Sequence, residues 1–244
     1  MKSTSEGIDK HMEKKTLGII GGVGPLATML VGEMIVRLTE AKRDQDHVDM
    51  IITNNPNIPD RTAFILGESE EDPVPVILAD AKRLAVAGAD ILAIPCNTAH
   101  SFFGQIEEGT VLPLIDMIGE TAARAAQGGA KRIGILGTTG TITTGVYQSA
   151  CERYGMTPIV PDAHIQSVVM SLIYDDVKAG KPADHEKWAI IKGAMAEAGC
   201  DKIILGCTEL SVVRQELGLG EECIDSLLIL AETAIERCGH TVKK

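Results

Sequence analysis

Lys131-Arg132-Ile133-Gly134-Ile135-Leu136-Gly137-Thr138-Thr139-Gly140 repeats a phrase that the chain has already written once, as Thr16-Leu17-Gly18-Ile19-Ile20-Gly21-Gly22-Val23-Gly24-Pro25. Both are short apolar runs closing on glycine, the pattern of a buried strand delivered into a tight turn. Gly18 and Gly134 stand 116 positions apart. A second pair of stretches keeps nearly the same interval: Ile94-Pro95-Cys96-Asn97-Thr98-Ala99-His100 and Leu205-Gly206-Cys207-Thr208-Glu209-Leu210, with their cysteines 111 positions apart. The second half of the chain therefore replays the first.

Each cysteine follows an apolar run, Asp90-Ile91-Leu92-Ala93-Ile94 or Lys202-Ile203-Ile204-Leu205, and precedes a sequence able to start a helix. Such runs fit buried parallel strands. Asn97, Thr98 and Thr208 are residues of the type that caps the helix that follows. A thiol there lies in the positive end of the helix dipole, which favours thiolate. A single buried cysteine reads equally well as a small hydrophobe, but two in matched contexts point to one site assembled from two halves.

Between these landmarks, strands alternate with helices. The expected strands run from Leu17, over Val48 to Thr53, Ile91 to Ile94, Leu112 to Asp116, Lys131 to Gly137, Thr157 to Val160, Ile203 to Leu205 and Cys223 to Asp225. Helices are predicted up to about Glu40 and over Val76 to Ala87, Ile118 to Ala126, Ile165 to Val177, Glu186 to Ala198, Ser211 to Leu217 and Leu227 to Arg237. This alternation implies α/β architecture with parallel sheets covered by helices on both faces. The expected organisation is a disordered tail over 1–15, a first α/β lobe over 16–115 and a second over 116–225. Segment 226–244 packs back on the first lobe. Ligands of such sheets bind outside the strands' carboxyl ends, so the active site falls in the cleft between two pseudo-symmetric lobes.

Composition narrows the function. With 23 basic against 34 acidic residues the formal charge is −11, which disfavours nucleic acid or an anionic membrane as partner. No apolar run approaches the roughly 20 residues of a membrane span. The six cysteines form no C-x-x-C pair or zinc-ligand spacing, and the polar start of the chain has no secretory character, so a reduced, cytoplasmic protein without a metal is expected. An acidic enzyme that binds an anion must build local positive sites, which draws attention to individual cations near the motifs.

Two equivalent cysteines facing each other across a pseudo-twofold axis suit one chemistry directly. A racemase removes a Cα proton on one face with a thiolate and returns one on the other from a thiol, provided both lie within reach of Cα. The carbanion needs N–H and hydroxyl donors, which Asn97, Thr98, Thr138, Thr139 and Thr208 are placed to supply. Simple capping would explain the same threonines.

Gly21-Gly22-Val23-Gly24-Pro25 with Ala27-Thr28, Ile58-Pro59-Asp60-Arg61-Thr62, Pro95-Cys96-Asn97-Thr98-Ala99-His100 and Leu205-Gly206-Cys207-Thr208-Glu209 together resemble the aspartate/glutamate racemase family, in order and over nearly the whole chain after the tail. The resemblance implies a cofactor-independent homodimer acting on a small acidic amino acid, with Cys96 and Cys207 as catalytic acid and base. It implies that Asn97, Thr98 and Thr208 hold the α-carboxylate and amino end, within a motif that includes Ala99. Arg61 and Lys178 match the positions at which the aspartate-specific branch binds the side-chain carboxylate. Asp60 shapes the loop that presents Arg61, with Thr62 beside it, and Gly22 forms cleft wall. Glu209 stands where glutamate racemases carry histidine. It orients Cys207, or it only favours a helix N-terminus. His100 tunes Cys96, or it bonds backbone. Lys178 reads alternatively as a cation at a helix C-terminus.

The expected activity is interconversion of L- and D-aspartate. Broader aspartate/glutamate racemisation, a two-cysteine isomerase or hydantoin racemase, and a non-catalytic amino-acid sensor are the alternatives. Gly22-Val23-Gly24-Pro25-Leu26-Ala27 also satisfies the dinucleotide fingerprint G-x-G-x-x-A, but the acid expected after the second strand is replaced by Asn54-Asn55.

Overall fold

The computed structural model describes residues 13–243; the tail expected at the N-terminus lies mostly outside them. Two all-parallel sheets form the frame. The first has the order β2-β1-β3, built from β1 (Leu17–Gly21), β2 (Met50–Asn54) and β3 (Ile91–Ala93). The second has the order β5-β4-β6-β7, built from β4 (Arg132–Gly137), β5 (Thr157–Ile159), β6 (Lys202–Gly206) and β7 (Cys223–Asp225). The order β2-β1-β3 matches β5-β4-β6, so the repeat seen in the sequence is a repeat of topology.

Helices cover both faces of both sheets. The first half contributes α1 (Pro25–Leu38), the short α2 (Arg61–Ile65), α3 (Val74–Ala87) and α4 (Phe103–Gly109). The second contributes α5 (Met117–Gln127), α6 (Thr139–Thr144), α7 (Val146–Arg153), α8 (Ala163–Ser171), α9 (His185–Glu197) and α10 (Thr208–Leu217). The last helix, α11 (Ser226–Arg237), packs between α1 and α5.

Alternation along the strands splits the cores. Leu17 and Ile19 face Val31, Ile35, Leu230 and Ala234, whereas Ile20 and Leu92 face Ile77, Leu84 and Ile106. In the second sheet Ile133 and Ile135 meet α5 and α7, and Leu136 and Leu205 meet α8 and α9. Each such fully buried aliphatic side chain contributes about 1.5–3 kcal/mol. Strands buried on two faces need apolar residues throughout, which is why these runs are short and nearly continuous.

Three expected elements differ. Leu112 to Asp116 is not a strand; only Leu114 bridges Leu92, because Pro113 has no N–H to offer a ladder. The helix expected over Ile165 to Val177 changes after Ser171 into a π-helical turn, Leu172–Val177. The segment after Cys96 opens as a 3-10 helix, Thr98–Phe102, before α4. No helix among the described residues is long and apolar enough to cross a membrane.

Candidate active site

The two cysteines stand at equivalent places, Cys96 just beyond β3 and Cys207 just beyond β6, each strand paired in parallel with the first strand of its sheet. Both line one small cavity of about 20 Å³, room for about one water. Of the predicted residues, Asp60, Arg61, Thr62, Asn97, Thr98, Thr138, Lys178, Thr208 and Glu209 share that lining. Gly22 lines instead an outer cleft of about 690 Å³ that adjoins it. Its φ is +89°, and a Cβ there would fall 2.3 Å from the Asn55 carbonyl, so the turn requires glycine. Asp60, Arg61, Lys178 and Glu209 border both spaces and form the partition between them. Ala99 and Thr139 are absent from the lining. Ala99 is wholly buried in the core beside β3, and Thr139 opens α6 with its N–H directed at Met170 Sδ, 3.3 Å away.

Thr98 and Thr208 do not cap their helices. Asn97 precedes the 3-10 helix in helical conformation without a side-chain bond to it, and Cys207 itself occupies the cap position of α10. The Thr98 hydroxyl is used across the cleft instead. Thr98 Oγ1 lies 3.0 Å from both Thr138 Oγ1 and Thr141 Oγ1, and Thr62 Oγ1 donates to Thr138 Oγ1 at 3.3 Å. This cluster joins residues of the first sheet's loops to the start of α6. Thr138 alone performs both tasks, since its Oγ1 also accepts from the Thr141 N–H that opens the helix.

Charge is distributed unevenly around the two thiols. Cys207 Sγ donates to Glu209 Oε2 at 2.9 Å, and the Thr208 hydroxyl donates to the same oxygen at 3.2 Å. Burial, and then the Glu209 carboxylate, push the Cys207 thiol well above its ordinary range, against the opposing pull of Lys178. The expectation that a helix N-terminus favours thiolate is thus reversed at Cys207 by desolvation and a neighbouring carboxylate. Lys178 Nζ lies 3.7 Å from Glu209 Oε1 and 4.4 Å from the centre of the Tyr174 ring. Burial pulls this ammonium down, but Glu209 and Cys207 outweigh it and raise it.

Arg61 is oriented by its own loop, donating from Nη1 to the carbonyls of Ile58 and Pro59 at 3.2 and 2.8 Å. The Asp60 carboxylate caps α2 by accepting the Ala63 N–H at 2.8 Å. Arg61 Nε is buried and has no partner among the described residues. Burial lowers its guanidinium, yet Cys96 and Asp60 more than compensate and hold it raised.

Among the open alternatives, His100 is a backbone-bonded histidine: Nδ1 donates to Cys96 O at 2.8 Å and Nε2 accepts from the Met117 N–H at 3.3 Å. Burial keeps it below its ordinary range, which fits that neutral tautomer. Glu209 both touches Cys207 and sits in the first turn of α10, so its two readings coexist. Tyr174, Val23 and Thr141 belong to the site or its hydroxyl cluster and were missed by sequence reasoning. Tyr174 precedes Lys178 by one turn, a spacing that places them on one face. Asn55 gives its amide to Asp80 at 2.8 Å. Among the described residues no group of three or more His, Cys, Asp or Glu is placed to hold a metal ion.

The profile of Asp/Glu/hydantoin racemases matches residues 20–234. The chain belongs to this family. The racemase is similar over 94% of its length to the solved aspartate racemase of Picrophilus torridus, with 32% identity, a TM-score of 0.79 and 96% of that chain covered. An aspartate racemase homologue from Pyrococcus horikoshii aligns over 92% of this chain and 99% of its own at 26% identity and a TM-score of 0.74. A broad-specificity amino-acid racemase of Bacillus subtilis is 28% identical over 227 residues, 90% of this chain and 96% of that one. The chain is thus an isomerase of the amino-acid racemase type, on the two-lobe α/β fold of its relatives.

Proposed function

We propose that this racemase interconverts L- and D-aspartate without a cofactor, with Cys96 and Cys207 carrying protons on opposite faces of Cα. The observation that supports it best is that cysteines from equivalent ends of two equivalent sheets line one cavity, walled also by Arg61 and Lys178. In one direction the thiolate of one cysteine takes the Cα proton, and the electron pair left behind spreads into the α-carboxylate. The thiol of the other then delivers its proton to the opposite face. The enzyme emerges with the roles exchanged, so protons balance over each turnover.

Asn97, Thr98 and Thr208 hold the α-carboxylate and amino group, with the Thr138 hydroxyl beside them. Arg61 and Lys178 take the distal carboxylate, the first as a planar fork whose Nε has no partner among the described residues, the second as a point charge. An amino acid needs several times the room of the inner cavity, so the partition of Asp60, Arg61, Lys178 and Glu209 opens toward the outer cleft to admit it. The Bacillus subtilis relative, named for broad specificity, supports a second reading in which several amino acids are turned over. The proposal extends to a cytoplasmic homodimer, with lobes 16–115 plus 226–244 and 116–225, which light scattering and limited proteolysis would test.

Proton NMR in D₂O with L- and D-aspartate, glutamate and alanine measures Cα exchange and inversion for wild type, Cys96→Ser and Cys207→Ser. Aspartate inverted fastest by wild type, and inversion lost in each variant, is the expected result. Faster inversion of glutamate or alanine overturns the aspartate assignment. Inversion that survives either cysteine substitution overturns the two-base mechanism.

A further inference from the structure

Tyr147 lies wholly buried on α7, outside every motif described above, and its ring rests against strand β6. A Cβ added to Gly206 would fall 2.9 Å from Tyr147 Cε2, so the strand is cleared for the ring just before Cys207. From there the phenol reaches across to the loop that follows β3 and donates to Asn97 Oδ1 at 2.5 Å. An asparagine amide has one acceptor end and one donor end. The acceptor end of Asn97 is committed to Tyr147. The donor end, Nδ2, is buried and has no partner among the described residues, in a side chain only 2% exposed that lines the cavity. Burial holds the Tyr147 phenol above the ordinary tyrosine range, so it remains an O–H donor at working pH.

A donating phenol selects which end of the amide it meets. The geometry points to Tyr147 as a positioning residue that locks the Asn97 amide with Nδ2 turned to the cavity, making Asn97 a donor-only contact for the substrate's α-carboxylate. With the amide reversed, Oδ1 would oppose that carboxylate, and Nδ2 would be spent on the phenol. The inference deepens the proposed function and rests on its assignment of the cavity to the amino acid's α-carboxylate. Both enantiomers carry that carboxylate, so the lock serves both directions of the reaction.

The test is kcat/KM for wild type, Tyr147→Phe, Asn97→Ala, the double variant and Asn97→Asp, with thermal denaturation of each. It uses whichever amino acid the wild type inverts fastest, so a wrong aspartate assignment leaves it intact. Tyr147→Phe is expected to lose about tenfold or more, the scale of one hydrogen bond to a charged group. In the Asn97→Ala background the same substitution should change kcat/KM by less than about twofold, because the amide it orients is gone. Asn97→Asp keeps an oxygen for Tyr147 and replaces only the atom facing the cavity, so it should lose at least as much as Tyr147→Phe. Wild-type kcat/KM in Tyr147→Phe, or full multiplication of the two single losses in the double variant, overturns the inference. Wild-type kcat/KM in Asn97→Asp overturns it independently, and decides the matter if Tyr147→Phe fails to fold.

Discussion

Replacing Lys178 with methionine removes one positive charge from the partition while keeping a stem of similar length. In the free protein its ammonium is 3.7 Å from Glu209 Oε1 and its side chain is 30% exposed. Under the proposed mechanism an arriving distal carboxylate shares that cation with Glu209. A hydrogen bond to a charged group is worth about 1.5–3 kcal/mol, with each 1.4 kcal/mol a factor of ten. Partial exposure and competition from Glu209 favour the lower half, so kcat/KM for aspartate should fall about 10- to 50-fold. Alanine has no distal carboxylate and isolates every other consequence of the change, including the further rise of the Cys207 thiol once its opposing cation is gone. Exchange of the Cα proton in D₂O, measured for both amino acids, therefore reads the ratio of aspartate to alanine. That ratio should collapse by the same factor. An equal loss for both amino acids, or none for aspartate, would refute the placement of the distal carboxylate at Lys178.

Two further outcomes follow from individual contacts. The Glu209 carboxylate helps hold the Cys207 thiol above its ordinary range, and under the proposed mechanism Cys207 must be protonated when it acts as the acid. Glu209→Gln should therefore lower that thiol and move the alkaline limit of inversion to lower pH, read from kcat against pH. A limit that stays or rises contradicts the role given to Glu209. Asp225, 3% exposed, caps α11 through the Leu227 and Leu228 N–H groups and accepts the buried Ser211 hydroxyl at 2.6 Å. Asp225→Ala removes the cap and strands the hydroxyl, costing about 3 kcal/mol and about 6–12 °C in Tm at this size; a loss under about 1 kcal/mol in denaturant titration would show the cap to be dispensable.

What the sequence disclosed follows from how local its signals are. The strands carrying Cys96 and Cys207 are continuous apolar runs closed by small residues, and their spacing alone announces a duplicated topology. Arg61 and Lys178 were legible from their motifs. The hydroxyl cluster was not, because the bonds from Thr62 and Thr98 to Thr138 and Thr141 span 40 to 76 positions of chain, through turns whose aim only the fold decides. The role of Tyr147 was hidden for the same reason, its partner Asn97 being 50 residues away. Helix α6 escaped notice because Thr139–Thr144 is rich in β-branched residues of modest helix propensity. The capping role expected of Asn97 and Thr208 gave way because their side chains found partners elsewhere, a choice that propensity does not encode.

The duplicated frame is broken at one point that matters. Two residues beyond Cys207 stands Glu209, in contact with its thiol, whereas two beyond Cys96 stands Thr98, bonded across to Thr138 and Thr141. Mirror-image amino acids have equal free energies in water, so a racemase's equilibrium constant is one. The Haldane relation then fixes kcat/KM for the L and D enantiomers to be identical, however dissimilar the two thiols are. Under the proposed mechanism the asymmetry introduced by Glu209 can appear only in how kcat and KM rise or fall together for each enantiomer, and in which of the two protonation isomers the resting enzyme prefers. Under the proposed two-base mechanism, wherever abundant substrate makes the bound steps faster than the return of the enzyme's own thiol protons to their starting places, that return sets the rate.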